Sequence, residues 1–166
     1  MDTQPLFTKQ KITKTLSLKP NFINTKIDES IISILNRTIG GRCSSEGYIK
    51  RNSIKIHNKS VGQINLGDAS GNIIYNISFI ADICRPVEGC VYTCTIDSKN
   101  KMGIIAYSEE DKARPLYILI PRDYIGDEYN FDDLDKDDKI NIRVIGVRFK
   151  HNDSIIQVVG EIMSKE

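Results

Sequence analysis

The residues able to hold a metal or attack a substrate are few in this chain and poorly spaced for either task. Four cysteines, Cys43, Cys84, Cys90 and Cys94, and two histidines, His57 and His151, are the candidates for soft-metal ligation. No two cysteines have the C-x-x-C spacing of a zinc site, so they read as reduced thiols buried as small apolar side chains. A centre built from Cys84, Cys90, Cys94 and one histidine is the sharper alternative. In the run DDLDKDD, Asp133, Asp135 and Asp137 could open a calcium loop. However, Asp138 stands where the sharp turn needs glycine and Val144 where the bidentate glutamate belongs. That run reads as a solvated loop. Gly40-Gly41 is followed by no Lys-Ser or Lys-Thr at P-loop spacing and reads as a helix end. Both histidines sit in polar, turn-like runs, and no Ser-His-Asp or Cys-His order is persuasive. The expectation is a protein that is not an enzyme, with no catalytic residues, no metal and no cofactor.

The remaining chemistry is recognition of single-stranded nucleic acid, which needs aromatic rings for stacking and cations that follow the phosphates. Lys99, Lys101, Tyr107, Tyr117 and Arg122 offer both, and Arg148 and Lys150 add two more cations. They would act together on a small barrel that binds through the face of its second and third strands and the adjacent loops. The other reading is that the tyrosines pack the barrel rim and the cations are ordinary solvated surface.

The elements that must position these residues follow from periodicity. Lys9 to Leu18 alternates as a strand and is closed by Pro20. Asn24 or Thr25 can cap a helix whose Ile27, Ile31, Ile34, Leu35 and Thr38 recur at helical spacing before Gly40 and Gly41. Everything after Gly41 reads as short strands, among them Ser53 to His57, Val61 to Leu66 and Ile73 to Ile83. Five strands at 90–97, 102–108, 115–120, 139–148 and 154–162 fit an OB-type barrel, with glycine at 103 and 146 where strands must coil tightly. The fold class is therefore mainly β with one N-terminal helix, in two modules divided near Pro86, 1–86 and 87–166.

Charge supports the division. The whole chain of 166 residues carries Lys+Arg 23 and Asp+Glu 22, a net +1, which excludes a polyanion binder by bulk charge. Residues 1–86 hold 12 basic and 6 acidic side chains, or +6, and residues 87–166 hold 11 and 16, or −5. Two modules of opposite sign suggest different partners. No apolar stretch is long enough to span a bilayer, and the start lacks a signal-peptide core, so the expected location is intracellular.

A family resemblance rests on motifs in order along the chain. These are Gly41-Arg42-Cys43, Gly47-Tyr48-Ile49, Tyr75-Asn76-Ile77-Ser78-Phe79-Ile80-Ala81, Arg85-Pro86, Gly89-Cys90-Val91, Lys101-Met102-Gly103, Arg143-Val144-Ile145-Gly146-Val147-Arg148 and Val159-Gly160-Glu161-Ile162. Together they resemble the larger stalk subunit of multisubunit DNA-directed RNA polymerases, the family of eukaryotic polymerase II subunit seven and its archaeal counterpart. The wording GRCSSEGYI, RNSIKI and ADICRPVEG is nearer to versions encoded by nucleocytoplasmic large DNA viruses.

The resemblance implies an RNP-like tip domain that docks on the polymerase core, followed by an S1-like OB domain that guides nascent RNA. It also implies core subunits, and in cellular enzymes a smaller stalk subunit, as partners. Docking would fall on Arg42, Tyr48, Asp68, Gly71 and Arg85. A viral version would act in the virion and host cytoplasm, a cellular one in the nucleus. Ile104, where many S1 domains place an aromatic, and Pro121-Arg122 after the third strand depart from the family pattern and imply weak RNA binding. The alternative function is a free-standing S1-type single-stranded RNA-binding protein in translation or RNA turnover.

Overall fold

Apolar residues alternating with Thr, Ser and Lys make β1 (Thr8–Leu18), whose Ile12 and Leu18 turn inward while Lys9, Lys11, Thr13 and Thr15 stay exposed. The computed structural model describes residues 2–166, and their contacts group into two units. One unit is Lys9–Gly40 with Ile49–Ile83; the other is the stretch ending at Thr8, Gly41–Tyr48 and Cys84–Glu166.

In the first unit β1 lies beside β6 (Ile73–Cys84), the long strand on which the sheet is built. Tyr75, Ile77, Phe79, Ala81 and Ile83 point from β6 into the core, as the two-residue period requires. On the opposite face Thr13 shares a 3.0 Å hydrogen bond with Ser78, and the Thr15 hydroxyl donates to Asn76 Oδ1 at 2.8 Å. Two short strands, β4 (Lys55–Lys59) and β5 (Gln63–Ile64), pair antiparallel with successive parts of β6. Helix α1 (Ile27–Thr38) buries Ile31 and Leu35 in the same core. It starts one residue later than a side-chain cap would require. Lys26 holds the cap position, and Asn24 Oδ1 instead accepts the Lys26 N–H at 2.8 Å. Gly40 ends it, since a Cβ there would lie 2.5 Å from the Asn36 carbonyl oxygen. The strand expected over Val61 to Leu66 reduces to Gln63–Ile64, with Val61 and Leu66 turned out to solvent.

The second unit holds a closed barrel of β7 (Val91–Asn100), β8 (Gly103–Tyr107), β9 (Leu116–Pro121), β10 (Lys139–Arg148) and β11 (Ile156–Lys165), in the order β7-β8-β9-β11-β10. Only β9 and β11 run parallel; the other neighbours are antiparallel. This is an OB-like barrel, and with the β-rich first unit and one α-helix it makes the fold mainly β. Ile96, Ile104, Ile118, Ile120, Ile140, Ile142 and Ile156 fill it without exposure. Gly103 is fixed by the barrel's tightness, because at φ 152° a Cβ would stand 2.1 Å from the Ile120 carbonyl oxygen. A register shift between Val144 and Gly146 bends β10.

Earlier pieces of chain complete this unit. The Gln4 N–H donates to Val91 O at 2.9 Å, and Leu6, 2% exposed, donates its N–H to Glu110 Oε2 at 2.9 Å. The hairpin of β2 (Cys43–Ser44) and β3 (Gly47–Ile49) begins at Cys43, whose N–H donates to Asp153 O at 2.7 Å and whose carbonyl accepts from Asn152 at 2.9 Å. Regrouped by unit the charges keep their split: the first unit carries 10 basic and 4 acidic side chains, +6, and the barrel unit 13 and 18, −5.

Candidate functional site

The barrel gathers some of the nucleic-acid candidates and separates others. On β11, Gln157 pairs with Tyr117 of β9 on one side and with Arg148 of β10 on the other, so the three lie side by side across the sheet. Tyr117, 41% exposed, and Arg148 wall a groove of about 370 Å³ whose floor is Leu119, Gly146, Val147, Val158 and Val159. Gly146 has no atom within 4 Å of where its Cβ would be, which leaves that part of the groove open. Tyr117 also borders a smaller hollow of about 140 Å³ shared with Tyr107 and Arg114. There the Arg114 guanidinium lies 3.7 Å over the Tyr107 ring and 3.9 Å from the Asp97 carboxylate. Tyr107, Tyr117 and Arg148 thus form one surface with Arg114, which no sequence pattern singled out. Lys150, two residues after Arg148, is exposed in a turn held by its own N–H to Asp153 Oδ2 at 2.7 Å.

The other cations sit elsewhere, and two of them, Lys99 and Arg122, have other work. Lys99 donates to the carbonyl oxygens of Phe131 at 3.2 Å and Asp132 at 3.5 Å, and its ammonium lies 5.2 Å from the Phe131 ring centre. The Arg122 guanidinium lies 4.3 Å from the same ring. Phe131 therefore organises both cations, a role illegible in sequence because it stands 32 residues from Lys99. Lys101 is exposed in the turn between β7 and β8.

The acidic run is closed by ammonium groups. Lys165 Nζ lies 2.7 Å from Asp138 Oδ2 and donates to Asp133 O at 3.4 Å, while the Asp135 N–H donates to Asp138 Oδ2 at 2.9 Å. The hydrogen bond from Lys165, then that from Asp135, holds the Asp138 carboxyl below its ordinary 3.8, and the same pairing raises Lys165 above 10.5.

All four cysteines are buried as free thiols. Desolvation pushes Cys84 and Cys94 up to about 12 and Cys43 to about 11, the nearby Asp153 carboxylate adding to the last. Among the described residues no group of three or more His, Cys, Asp or Glu is placed to hold a metal ion.

Of the docking candidates, Arg42 and Arg85 are exposed, but Tyr48 is 2% exposed and packs in the barrel unit's core. Its side chain supports the fold and offers no surface. Asp68 and Gly71 lie in an exposed turn of the first unit. There Ser70 donates its hydroxyl to Asp68 Oδ2 at 2.6 Å and its N–H to Oδ1 at 3.0 Å, lowering the carboxyl below 3.8. The same excursion between β4 and β6 exposes Val61 at 86%, Ile64 at 67% and Leu66 at 96%. The sequence pattern puts all three on a strand, whereas only Ile64 lies on one; Gly62 within the run and Gly67 after it are the signal that it could leave the sheet.

No family model matches this chain. It is 22% identical to DNA-directed RNA polymerase II subunit RPB7 of Glycine max and 21% identical to DNA-directed RNA polymerase II subunit 7 of Arabidopsis thaliana, each match covering 81% of both chains. It is also 21% identical to a protein of Acanthamoeba polyphaga mimivirus named as an RNA polymerase subunit, over 98% of this chain and 85% of the other. The resemblance drawn from the motifs is thus met by relatives along most of the chain, one of them viral.

Proposed function

We propose that this chain is a noncatalytic stalk subunit of a DNA-directed RNA polymerase encoded by a large DNA virus. It docks on the polymerase core through the module drawn from residues 1–86 and guides nascent RNA over the S1-like barrel of residues 87–166. The observation that carries the docking half is the apolar trio Val61, Ile64 and Leu66, held out from a unit of charge +6. Exposed apolar side chains concentrated on one excursion mark an interaction site. Burying them against a partner would contribute about 1.5–3 kcal/mol each before the costs of association. Asp68 and Gly71 share that excursion; Arg42 and Arg85, docking candidates as well, are exposed cations of the other unit.

For the barrel, Tyr117 supplies a face for a base and Arg148, Arg114 and Lys150 supply cations for phosphates. The contribution to transcription is positional, with no chemical step, and a viral version works in the virion and host cytoplasm. A smaller stalk subunit would be a second partner.

The test is binding of the purified full chain to the core polymerase of its source. The triple variant V61S/I64S/L66S is expected to bind at least tenfold more weakly with an unchanged unfolding midpoint. Undiminished binding by that variant would remove the docking assignment. Failure of the natural chain to bind any polymerase subunit, together with tight RNA binding, would favour a free-standing S1-type protein.

A further inference from the structure

Helix α1 turns a polar face to solvent, and that face is a groove. Glu29, Ile32, Ser33, Asn36 and Arg37 of the helix, with Arg51 and Asn52 of the turn before β4, enclose about 570 Å³. Asn52, in the left-handed region at φ 60°, donates its N–H to Asn36 Oδ1 at 3.1 Å, and this bond holds turn and helix together. It also leaves the Asn36 amide N–H₂ pointing away from that contact.

The charges in the groove are unpaired. Among the described residues no ion pair involves Arg37, Arg51 or Glu29, whereas the neighbouring Asp28 is paired with Lys59. Glu29 and Arg37 are eight residues apart, about 12 Å along the axis at 1.5 Å per residue, too far to neutralise each other. The groove is therefore polarised. Two guanidiniums, two amides and the Ser33 hydroxyl lie toward the helix C-terminus, half-buried Ile32 lies in the middle, and one carboxylate lies at the N-terminal end. Across the helix a second hollow of about 280 Å³ shares Glu29, Ser33 and Arg37 and adds Ile34 and Phe22, which is 38% exposed.

We infer that this groove seats an acidic peptide segment of a partner protein, with carboxylates clamped by Arg37 and Arg51 and an apolar side chain over Ile32. Guanidinium forks bind carboxylates in two-bond geometry, and two of them unpaired in one concavity on a unit of charge +6 select an anionic occupant. Glu29 sets the direction, since it repels negative charge at the far end. Nothing in this inference depends on the polymerase assignment or on the Val61, Ile64 and Leu66 excursion.

The experiment is titration of the isotopically labelled full chain with the capped peptide acetyl-Glu-Glu-Leu-Glu-Glu-amide, followed by amide chemical shifts. Shifts at Ser33, Asn36, Arg37, Arg51 and Asn52 are expected to saturate together. R37E/R51E should weaken binding at least tenfold, and E29Q should strengthen it a few-fold. K9E/K11E, which changes the charge of the same unit equally on β1, should stay within twofold of the natural chain. Equal weakening by both double variants would reduce the effect to bulk charge and overturn the inference. So would shifts confined to other residues, or displacement of the peptide from this groove by a ten-nucleotide oligouridylate at lower concentration.

Discussion

If Tyr117 and Arg148 share a groove while Lys99 is spent on backbone carbonyls, substitutions at these positions should fail in different ways. Tyr117→Ala removes a ring that is 41% exposed and open on one face. Base stacking on an aromatic is worth about 1–3 kcal/mol, and a half-exposed ring falls toward the lower part, about 1–2 kcal/mol, or roughly 5- to 30-fold in affinity. Arg148→Ala removes one phosphate contact, so the slope of log affinity against log salt should become shallower by about 0.7, the single-strand value per cation. Lys99→Ala should leave that slope unchanged, because the ammonium is already bonded to the carbonyls of Phe131 and Asp132. It should instead cost about 1 kcal/mol of stability, a fall of roughly 2–4 °C in unfolding midpoint. The assay is fluorescence polarisation of a labelled oligouridylate on the full chain between about 50 and 200 mM salt, beside thermal melts. A Lys99→Ala slope as shallow as that of Arg148→Ala, at unchanged midpoint, would refute the division of the cations into two groups.

Gly103→Ala should destabilise by about 3–5 kcal/mol, because backbone oxygen meets the new methyl and φ is positive, whereas Gly146→Ala should stay within about 0.5 kcal/mol; denaturant melts of both compare them directly. The Asp138 carboxyl is depressed and Lys165 is raised, so their mutual stabilisation is full between 3.8 and 10.5. It is lost as pH falls through the lowered Asp138 value or rises through the raised Lys165 value. Melting points of D138N should therefore converge on those of the natural chain in acid, and parallel curves down to pH about 2 would contradict the pairing. The four buried thiols should resist a charged alkylating reagent at pH about 8 in the folded chain and react fully in denaturant, since burial shields them and desolvation keeps Cys43, Cys84 and Cys94 protonated. Fast labelling of Cys84 or Cys94 in the native state would count against their burial.

Where a pattern is local, it was legible. The alternation of Tyr75, Ile77, Phe79, Ala81 and Ile83 and the helical recurrence of Ile27, Ile31 and Leu35 found their elements within a residue or so. The five barrel strands were found the same way, because each must bury one face whatever its neighbours are. Their order around the barrel, and hence the meeting of Tyr117 with Arg148, depends on the parallel pairing of β9 with β11, which leaves no mark in either segment. Arg114 over Tyr107 and Phe131 between Lys99 and Arg122 are likewise contacts across loops. Val61 to Leu66 was legible only in part: Gln63–Ile64 pairs with β6 as a strand, but Val61, Ile64 and Leu66 all face solvent, and an apolar run cannot tell a core from a surface kept for something else.

The chain visits its two units alternately, passing between them after Thr8, Gly40, Tyr48 and Ile83. This matters during synthesis. The Cys43 thiol and the Ile155 carbonyl, 3.8 Å apart in the folded protein, are separated by 112 residues. At about 5–20 residues per second, the hairpin that begins at Cys43 waits roughly 6–20 s for the turn it pairs with, longer still while that turn clears the ribosome. A nascent chain stopped before β11 would hold Leu6, Cys43 and Tyr48 without the barrel that covers them, and would be a natural client for chaperones. The first unit is finished once Ile83 has emerged; the second must gather three separated stretches, the one ending at Thr8, Gly41–Tyr48 and Cys84–Glu166.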